Sequence, residues 1–284
     1  MRDHVREFSV AAMCRVLRIH RSGFYAWCRT PESARAREDR RLGGLVKQAW
    51  LESGCVYGYR KVRHDLCEVG ETVGKHRAAR LMRREGLRAQ IGYGRRRYAP
   101  AGPAAVAAPN HLDRQFDVEQ PNTHWVTDIT YLRTAEGWLF LAVVLDLYSR
   151  QVVGWSMQPR MHAELVLDAL VMAVRRRRPA EGLLLHSDQG SQFTGEAWQA
   201  FLRNHGIVCS MSRRGNCYDN AVVESFFQLL KRERVRRRTY PTREAARADV
   251  FDYIEMFYNP KRRHGSNAGL SPVQYEQRST QSGC

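Results

Sequence analysis

The chain has 284 residues, with 46 Lys and Arg against 29 Asp and Glu, giving a formal net charge of +17. Its 6 Trp, 10 Phe and 12 Tyr supply enough apolar material for a packed core, which excludes a wholly disordered chain. The excess of positive charge favours a polyanionic partner such as nucleic acid.

The composition argues against a membrane or secreted protein. The most apolar stretch, from Trp138 to Met157, is interrupted by Asp146 and Arg150, so it predicts no bilayer-spanning helix. The first residues lack the apolar run of a secretory signal. Seven cysteines without a CxxC pair indicate reduced thiols, and we therefore expect a cytoplasmic protein.

The N-terminal part of the chain is the more basic part. Residues 1–122 carry a net charge of +11 and residues 123–284 a net charge of +6. Apolar residues at helical spacing predict short helices over 10–17, 60–68 and 75–84. The first would begin after an N-cap at Ser9, and the last would end at Gly86.

Residues 57–87 contain two of these predicted helices around a turn with glycine. The second helix is rich in arginine, so the segment fits a helix-turn-helix unit that binds DNA. An ordinary helical bundle with solvated arginines fits the pattern equally well.

A linker and then a different pattern follow. Residues 98–122 predict a linker, because the segment 99–109 holds three prolines and no polar periodicity. Beyond it, three meandering β-branched strands precede alternating helices and strands, which predicts a mixed α/β sheet. The predicted strands are 125–132, 138–147, 151–157, 183–188 and 207–211, and the predicted helices are 162–177, 195–205, 220–234 and 242–258.

Three acids stand in apolar surroundings in this second part. Asp128 and Asp188 occupy strand positions, and Glu224 lies on a helix between apolar residues. Buried charges are costly unless they are paired or bound to metal, and three carboxylates suit Mg²⁺ or Mn²⁺. Two such ions, ~3.5–4 Å apart, would clamp a phosphodiester. A helix cap or a surface ion pair would explain any one of these acids taken alone.

Four segments carry a resemblance that favours the metal site. They are 125–131 (WVTDITY), 186–193 (HSDQGSQF), 212–227 (SRRGNCYDNAVVESFF) and 258–272 with its YNPKRRH and GLSP words. With 59 residues between the two aspartates and 35 between Asp188 and Glu224, the chain resembles the DDE catalytic core of retroviral-type integrases. It looks more closely like the second-frame (OrfB) transposase of bacterial insertion sequences of the IS-three type.

The resemblance implies an α/β, RNase H-like core of five strands and an N-terminal helical, helix-turn-helix-like region. Asp128, Asp188 and Glu224 become the expected catalytic and metal-binding triad, with two Mg²⁺ or Mn²⁺ ions. The expected domains are a helical DNA-binding region, a linker, the catalytic core and a C-terminal helical and basic extension. Their bounds are 1–97, 98–122, 123–235 and 236–284, and residues 57–87 resemble the helix-turn-helix-like region of the family.

Several further residues are expected to support the site or to contact DNA. Lys231 lies two helical turns after Glu224, where the family often has a basic residue that contacts the DNA end. Asn220 precedes Glu224 by one turn and either orients a carboxylate or phosphate or caps the helix. The residues predicted to bind DNA are Lys231, Arg234, Arg236, Arg237, Arg77 and Arg80.

Other polar residues have simpler interpretations. Asp146 is interpreted as a turn residue paired with Arg150, and Asp219 as a helix cap. His124 and His186 are expected to pack or to form hydrogen bonds. The cysteines of the N-terminal region lack the close spacing of a His/Cys module, so no zinc is predicted.

We therefore predict a transposase that cleaves the ends of an insertion sequence and joins them to target DNA. Its expected partners are the terminal inverted repeats, target DNA, the upstream-frame (OrfA) product and further copies of the chain, in a bacterial cytoplasm at the nucleoid. Two alternatives are a nuclease of the same fold that never joins strands and a DNA-binding regulator with an inert core.

Overall fold

The structure is a computed structural model that describes residues 1–30, 32–90, 108–113, 115–212 and 220–282. The chain forms two compact units, residues 1–89 and residues 90–284. Part of the predicted linker and the motif residues 213–219, with the predicted cap Asp219, lie outside the described residues.

Short helices build the described part of the first unit. They are α1 (Val10–Val16), α2 (Arg21–Arg29), α3 (Ala34–Glu52), α4 (Tyr59–Glu68) and α5 (Lys75–Arg84), after a 3-10 turn at Arg2–His4. The helices predicted over 10–17, 60–68 and 75–84 are confirmed. Ser9 caps α1, since its Oγ accepts the backbone N–H of Ala12 at 3.3 Å.

Helix α3 was not predicted from the sequence. Its buried residues Leu42, Val46 and Ala49 do follow helical spacing. Eight charged residues and the pair Gly43-Gly44 interrupt that pattern, so the apolar stripe is hard to recognise. The helix packs against both α4 and α5 and completes a three-helix core.

A five-stranded sheet lies at the centre of the second unit. Its strands are β1 (His124–Thr134), β2 (Gly137–Asp146), β3 (Val152–Gln158), β4 (Leu184–Ser187) and β5 (Val208–Met211). Its helices are α6 (Ala163–Arg177), α7 (Ser191–Thr194), α8 (Glu196–Asn204), α9 (Ala221–Glu233), α10 (Arg243–Phe251), a π-helical segment (Asp252–Tyr258) and α11 (Pro272–Ser282).

The strand order is β3-β2-β1-β4-β5. The first three strands form an antiparallel meander, while β4 is parallel to β1 and β5 is parallel to β4. β1 pairs with β2 from Trp125 to Thr134 but with β4 only from His124 to Val126. Beyond Val126, therefore, β4 no longer covers that edge of β1.

Both faces of the sheet are buried. Helices α6 and α8 form a core with β1 and β2 that includes Trp125 and Val144. On β2, Leu141 and Val143 lie on the opposite face of the sheet. They are equally buried, so that face is covered as well. Helices α9 and α10 contact β1. The predicted mixed α/β core is confirmed.

The residues after α9 pack back onto it. The buried Arg262 donates to both carboxylate oxygens of Glu233, at 2.8 and 2.7 Å, and Tyr253 donates its hydroxyl to the same group at 2.8 Å. This pairing holds the C-terminal end of α9.

Helix α11 was not predicted, because its sequence is largely polar. In the part of the chain that the structure describes, no helix has the length and apolar character needed to cross a membrane.

Candidate active site

Asp128 lies on β1, and Asp188 directly follows the neighbouring parallel strand β4. The last pair in the β1–β4 register is Val126 with His186. Each aspartate follows two residues later, and residues two apart on a strand share a face. The topology therefore brings the two aspartates together where β4 ends.

The turn after β4 fixes the Asp188 side chain. Its Oδ1 accepts the backbone N–H of Gly190 at 2.9 Å. A Cβ atom at Gly190 would lie only 2.9 Å from that same oxygen, so this turn favours glycine. Asp188 is exposed to solvent, yet the protein atoms that displace water around its carboxylate raise its pKa.

Asp128 lies in the middle of β1 and is the most perturbed acid of the site. Its Oδ1 accepts the backbone N–H of Ile129 at 2.7 Å. Burial, followed by the negative charges of Asp188 and Glu224, raises the pKa of Asp128 to about 7. The Ile129 hydrogen bond and the positive charge of Lys231 oppose that rise but do not cancel it.

Glu224 lies in the first turn of α9 and is half-buried. Its neighbours Val223, Phe226 and Phe227 are buried and anchor the helix in the core. The Phe226 ring meets the ring of Tyr258 edge-to-face, with the two centroids 4.8 Å apart. Because α9 contacts β1, the charge of Glu224 acts on Asp128 across this contact.

Asn220 joins α9 to β1 directly. Its Nδ2 donates to the carbonyl oxygen of Thr127 at 3.2 Å, on the part of β1 that β4 leaves uncovered. The side chain makes no capping hydrogen bond to α9, so the capping interpretation was wrong. Its buried Oδ1 has no hydrogen-bond partner among the described residues.

The charges of Asp188 and Glu224 both reach Asp128, but the three acids do not form a closed ligand cage. Within the described residues, no group of three His, Cys, Asp or Glu side chains is close enough to hold a metal ion. At Asp128 the negative charges of Asp188 and Glu224 add to burial, the largest cause, in raising the pKa. Clustered carboxylate oxygens of this kind suit a hard cation such as Mg²⁺ or Mn²⁺.

Comparison with known proteins identifies the family of the chain. A family model described as "Integrase core domain" matches residues 118–217, and a second model of that description matches residues 224–280. A model described as "HTH-like domain" matches residues 36–98. Together these matches contain Asp128, Asp188 and Glu224.

Transposase InsF for insertion sequence IS3A of Escherichia coli (strain K12) is 45% identical over 278 residues, 96% of either chain. The chain belongs to the IS3 family of insertion-sequence transposases. A 31 kDa protein of insertion element IS600 from Shigella sonnei, described as uncharacterized, is 39% identical over 94% of this chain and 98% of its own length. The HTLV-2 integrase catalytic core, solved in complex with magnesium, is 19% identical with a TM-score of 0.42, covering 55% of this chain and 97% of that one.

Lys231 of the transposase lies in the last turn of α9 and interacts with Asp128. Its Nζ sits over the ring of Tyr131, 5.0 Å from the centroid. Burial and the charge of Arg236 lower the pKa of Lys231, while Asp128 opposes the change. The interaction between Lys231 and Asp128 places this ammonium group near the three acids.

The other predicted DNA contacts of this unit have different surroundings. Arg234 is largely buried and pairs with Asp249 at 3.1 Å and Asp252 at 2.6 Å. Arg236 and Arg237 are exposed on the 3-10 turn that follows α9. The structure thus gives Arg234 a role in packing and leaves Arg236 and Arg237 accessible to a phosphate.

Arg77 and Arg80 of α5 both pair with one buried acid of α3. Arg77 Nε lies 2.8 Å from Asp39 Oδ1, and Arg80 Nη2 lies 2.6 Å from Asp39 Oδ2. These ion pairs hold α5 against α3. Arg80 keeps about half of its side chain exposed, so a contact with DNA stays a prediction for it.

Asp146 is a turn residue, as predicted, but its carboxylate does not pair with the guanidinium of Arg150. The buried carboxylate accepts the backbone N–H groups of Asn122 and Tyr148 and the indole N–H of Trp125. The guanidinium of Arg150 donates to the carbonyl of Phe116 instead.

The buried His186 bonds to the hydroxyls of two serines, consistent with a structural role.

Two aromatic residues near the site were not singled out from the sequence. Tyr131 and Trp138 are about half exposed, although both stand in apolar strands. Their rings meet edge-to-face, with centroids 5.1 Å apart. Alternation along the strands predicts which side they face but not that this part of the sheet is uncovered.

Proposed function

We propose that Asp128, Asp188 and Glu224 are the catalytic carboxylates of this transposase and that they hold two divalent cations, Mg²⁺ or Mn²⁺. The observation that carries the proposal is the pKa of Asp128, raised to about 7 by burial and by the other two acids. Such repulsion destabilises the metal-free site, and a cation among the three carboxylates would remove it. Asp128 responds to both of the other acids, and it would hold the cations together with Asp188 and Glu224.

The metal ions, when bound, supply Lewis acidity and neutralise the charge that develops on the reacting phosphate. The side chains of the chain place the DNA end. Lys231 would bind a phosphate beside the carboxylates, and Asn220 would hold β1 and α9 together. Positioning and charge neutralisation then supply most of the rate enhancement.

The reaction would proceed in two displacements. Water first attacks a phosphodiester at the end of the insertion sequence, which releases a 3′-hydroxyl. That hydroxyl then attacks a phosphodiester of the target in line, so that one P–O bond forms as another breaks. The strands are joined without a covalent bond to the protein.

The N-terminal helical region would recognise the terminal inverted repeats, with Arg80 among its contacts. A multimer is proposed because two DNA ends must be brought together, and the upstream-frame product is the proposed partner. The same proposal includes three further points. The domains have the bounds 1–97, 98–122, 123–235 and 236–284. The chain has no zinc site, and it associates with the nucleoid.

Strand transfer with pre-cut ends tests the assignment. We expect joined product with wild-type protein and Mg²⁺, and a loss of at least about a hundredfold in the Glu224→Gln variant, since removal of key electrostatic groups has effects of this size. Hydrolysis without joined product in the wild type would indicate the nuclease. Full transfer by Glu224→Gln would overturn the triad, and DNA binding without any cleavage would indicate the regulator.

A further inference from the structure

Tyr131 and Trp138 form an exposed aromatic pair beside the proposed catalytic site. Tyr131 lies on β1 three residues after Asp128, about 10 Å along the strand, so the two side chains leave opposite faces of β1. Lys231 interacts with both of them. The exposed fractions are 56% for Tyr131 and 49% for Trp138, and the two rings meet edge-to-face. Contiguous exposed apolar surface is typical of binding sites.

Positive groups surround these rings. Lys231 Nζ lies 5.0 Å from the centroid of the Tyr131 ring. Arg133 is exposed and stands directly opposite Trp138 in the β1–β2 register. Arg243 donates from Nε to the carbonyl oxygen of Trp138 at 3.2 Å. Glu136 is the acid in contact here, and its carboxylate accepts the backbone N–H of Arg243.

We propose that Tyr131 and Trp138 form a stacking platform for unpaired nucleobases of the DNA strand beside the scissile phosphodiester. The rings would stack on base faces, while Lys231, Arg133 and Arg243 would bind the adjoining phosphates. The proposal rests on the proposed function, because it places the unpaired strand at Lys231, which lies over the Tyr131 ring and interacts with Asp128.

The combination of rings and cations favours an unpaired strand over other occupants. In a duplex the base faces are already stacked, so exposed rings would add little to binding by the cations. A second copy seated symmetrically on this patch would bring the same cations against one another. An unpaired strand offers both free base faces and negative phosphates.

The test uses the full chain in EDTA, so that binding is measured without cleavage. The probe is a short single-stranded oligonucleotide that carries one 2-aminopurine, compared with the same sequence as a duplex. Wild-type protein should quench the fluorescence of the single strand by stacking. Tyr131→Ala and Trp138→Ala should each weaken single-strand binding about tenfold and change duplex binding by less than about twofold.

Conservative and matched variants separate stacking from folding. Tyr131→Phe keeps the ring and should bind like the wild type. Phe251→Ala is the control, because Phe251 is 49% exposed and pairs edge-to-face with Trp155 on the other side of β2. It should bind both probes normally. All variants should show wild-type circular dichroism.

Other outcomes would overturn the platform. The platform would be refuted if Tyr131→Ala and Trp138→Ala bound the single strand as the wild type does, or if they lost equal affinity for single strand and duplex. A change in oligomeric state in Tyr131→Ala or Trp138→Ala, with normal DNA binding, would identify a protein interface instead.

If Glu224→Gln is inactive while both alanine variants bind normally, the triad stands and the platform falls. If Glu224→Gln keeps full strand transfer while the alanine variants lose the single strand, the platform stands and the triad falls.

Discussion

Asn220, immediately before α9, donates from Nδ2 to the carbonyl oxygen of Thr127 on β1, at 3.2 Å. Thr127 directly precedes Asp128, and Glu224 follows Asn220 by four residues. One hydrogen bond therefore ties together the two backbone segments that carry two of the proposed catalytic carboxylates. The bond gives a donor to the carbonyl oxygen of Thr127, which lies beyond the last pair of β1 with β4.

Replacing Asn220 with alanine should loosen this connection. The buried carbonyl of Thr127 loses its donor, which should lower the free energy of unfolding by about 1–3 kcal/mol. Mn²⁺ affinity should fall with it, because Asp128 and Glu224 are no longer held together. Thermal unfolding and Mn²⁺ titration of the full chain measure the two effects.

Asn259→Ala is the matched control for this prediction. Asn259 is also buried and bonds to the backbone of β3, accepting from Val152 N–H at 3.0 Å and donating to Val152 O at 2.9 Å. We expect a comparable loss of stability with unchanged affinity for Mn²⁺. Equal Mn²⁺ affinities in the two variants would refute the positioning role of Asn220.

The raised pKa of Asp128 predicts a pH-dependent stability of the metal-free protein. Because the folded-state pKa, about 7, lies above the ordinary 3.8, folding favours the protonated acid. This contribution is fully present below pH 3.8 and is lost as the pH rises through 7. The stability of Asp128→Asn relative to the wild type should therefore grow from pH 4 to pH 8, where the variant should unfold at least about 2–4 °C higher in EDTA.

Asp39→Asn provides the opposite case. Hydrogen bonds from Arg80 and Arg77 lower the pKa of Asp39, so its stabilising charge is present above the ordinary 3.8 and is lost only as the pH falls through the lowered value. The variant should unfold at a lower temperature than the wild type by the same margin at pH 5 and pH 8. A pH-independent difference for Asp128→Asn would contradict the predicted repulsion at the site.

The two arginines after α9 should respond differently to replacement by glutamine. Arg236 is exposed, so Arg236→Gln should leave stability unchanged and reduce the slope of log affinity against log salt by about one. Arg234 lies between Asp249 and Asp252, so Arg234→Gln should lower the melting temperature. DNA binding at several salt concentrations, with melting curves, measures both. An unchanged salt slope in Arg236→Gln would exclude its phosphate contact.

Much of the catalytic unit follows from local patterns in the sequence. The β-branched run around Asp128 and the leucine run before Asp188 predict two strands, and the apolar residues around Glu224 predict a buried helix. These patterns are strong because each element packs in the core, where burial selects apolar side chains at a fixed period. The parallel pairing of β1 with β4 then aligns the two aspartates.

Other features depend on contacts between distant parts of the chain. The bond from Asn220 to Thr127 joins residues 93 positions apart, and the local sequence left a helix cap and the orientation of a carboxylate or phosphate as equal alternatives. Arg234 lies in a basic run that indicates DNA, yet its partners come from α10 and the residue after it. Tyr131 stands in an apolar, strand-like segment, but only the structure shows that about half of it is exposed.

The most direct test of the central claim is the metal-dependent joining of pre-cut ends by the full chain and its carboxylate variants. We predict that Asp128→Asn, Asp188→Asn and Glu224→Gln each abolish joining in Mg²⁺ and Mn²⁺ while still binding the DNA ends. Glu181→Gln, which changes an exposed acid in the turn before β4, should join at the wild-type rate. Wild-type joining by any of the three site variants, or metal-independent joining by the wild type, would contradict the three-carboxylate metal site.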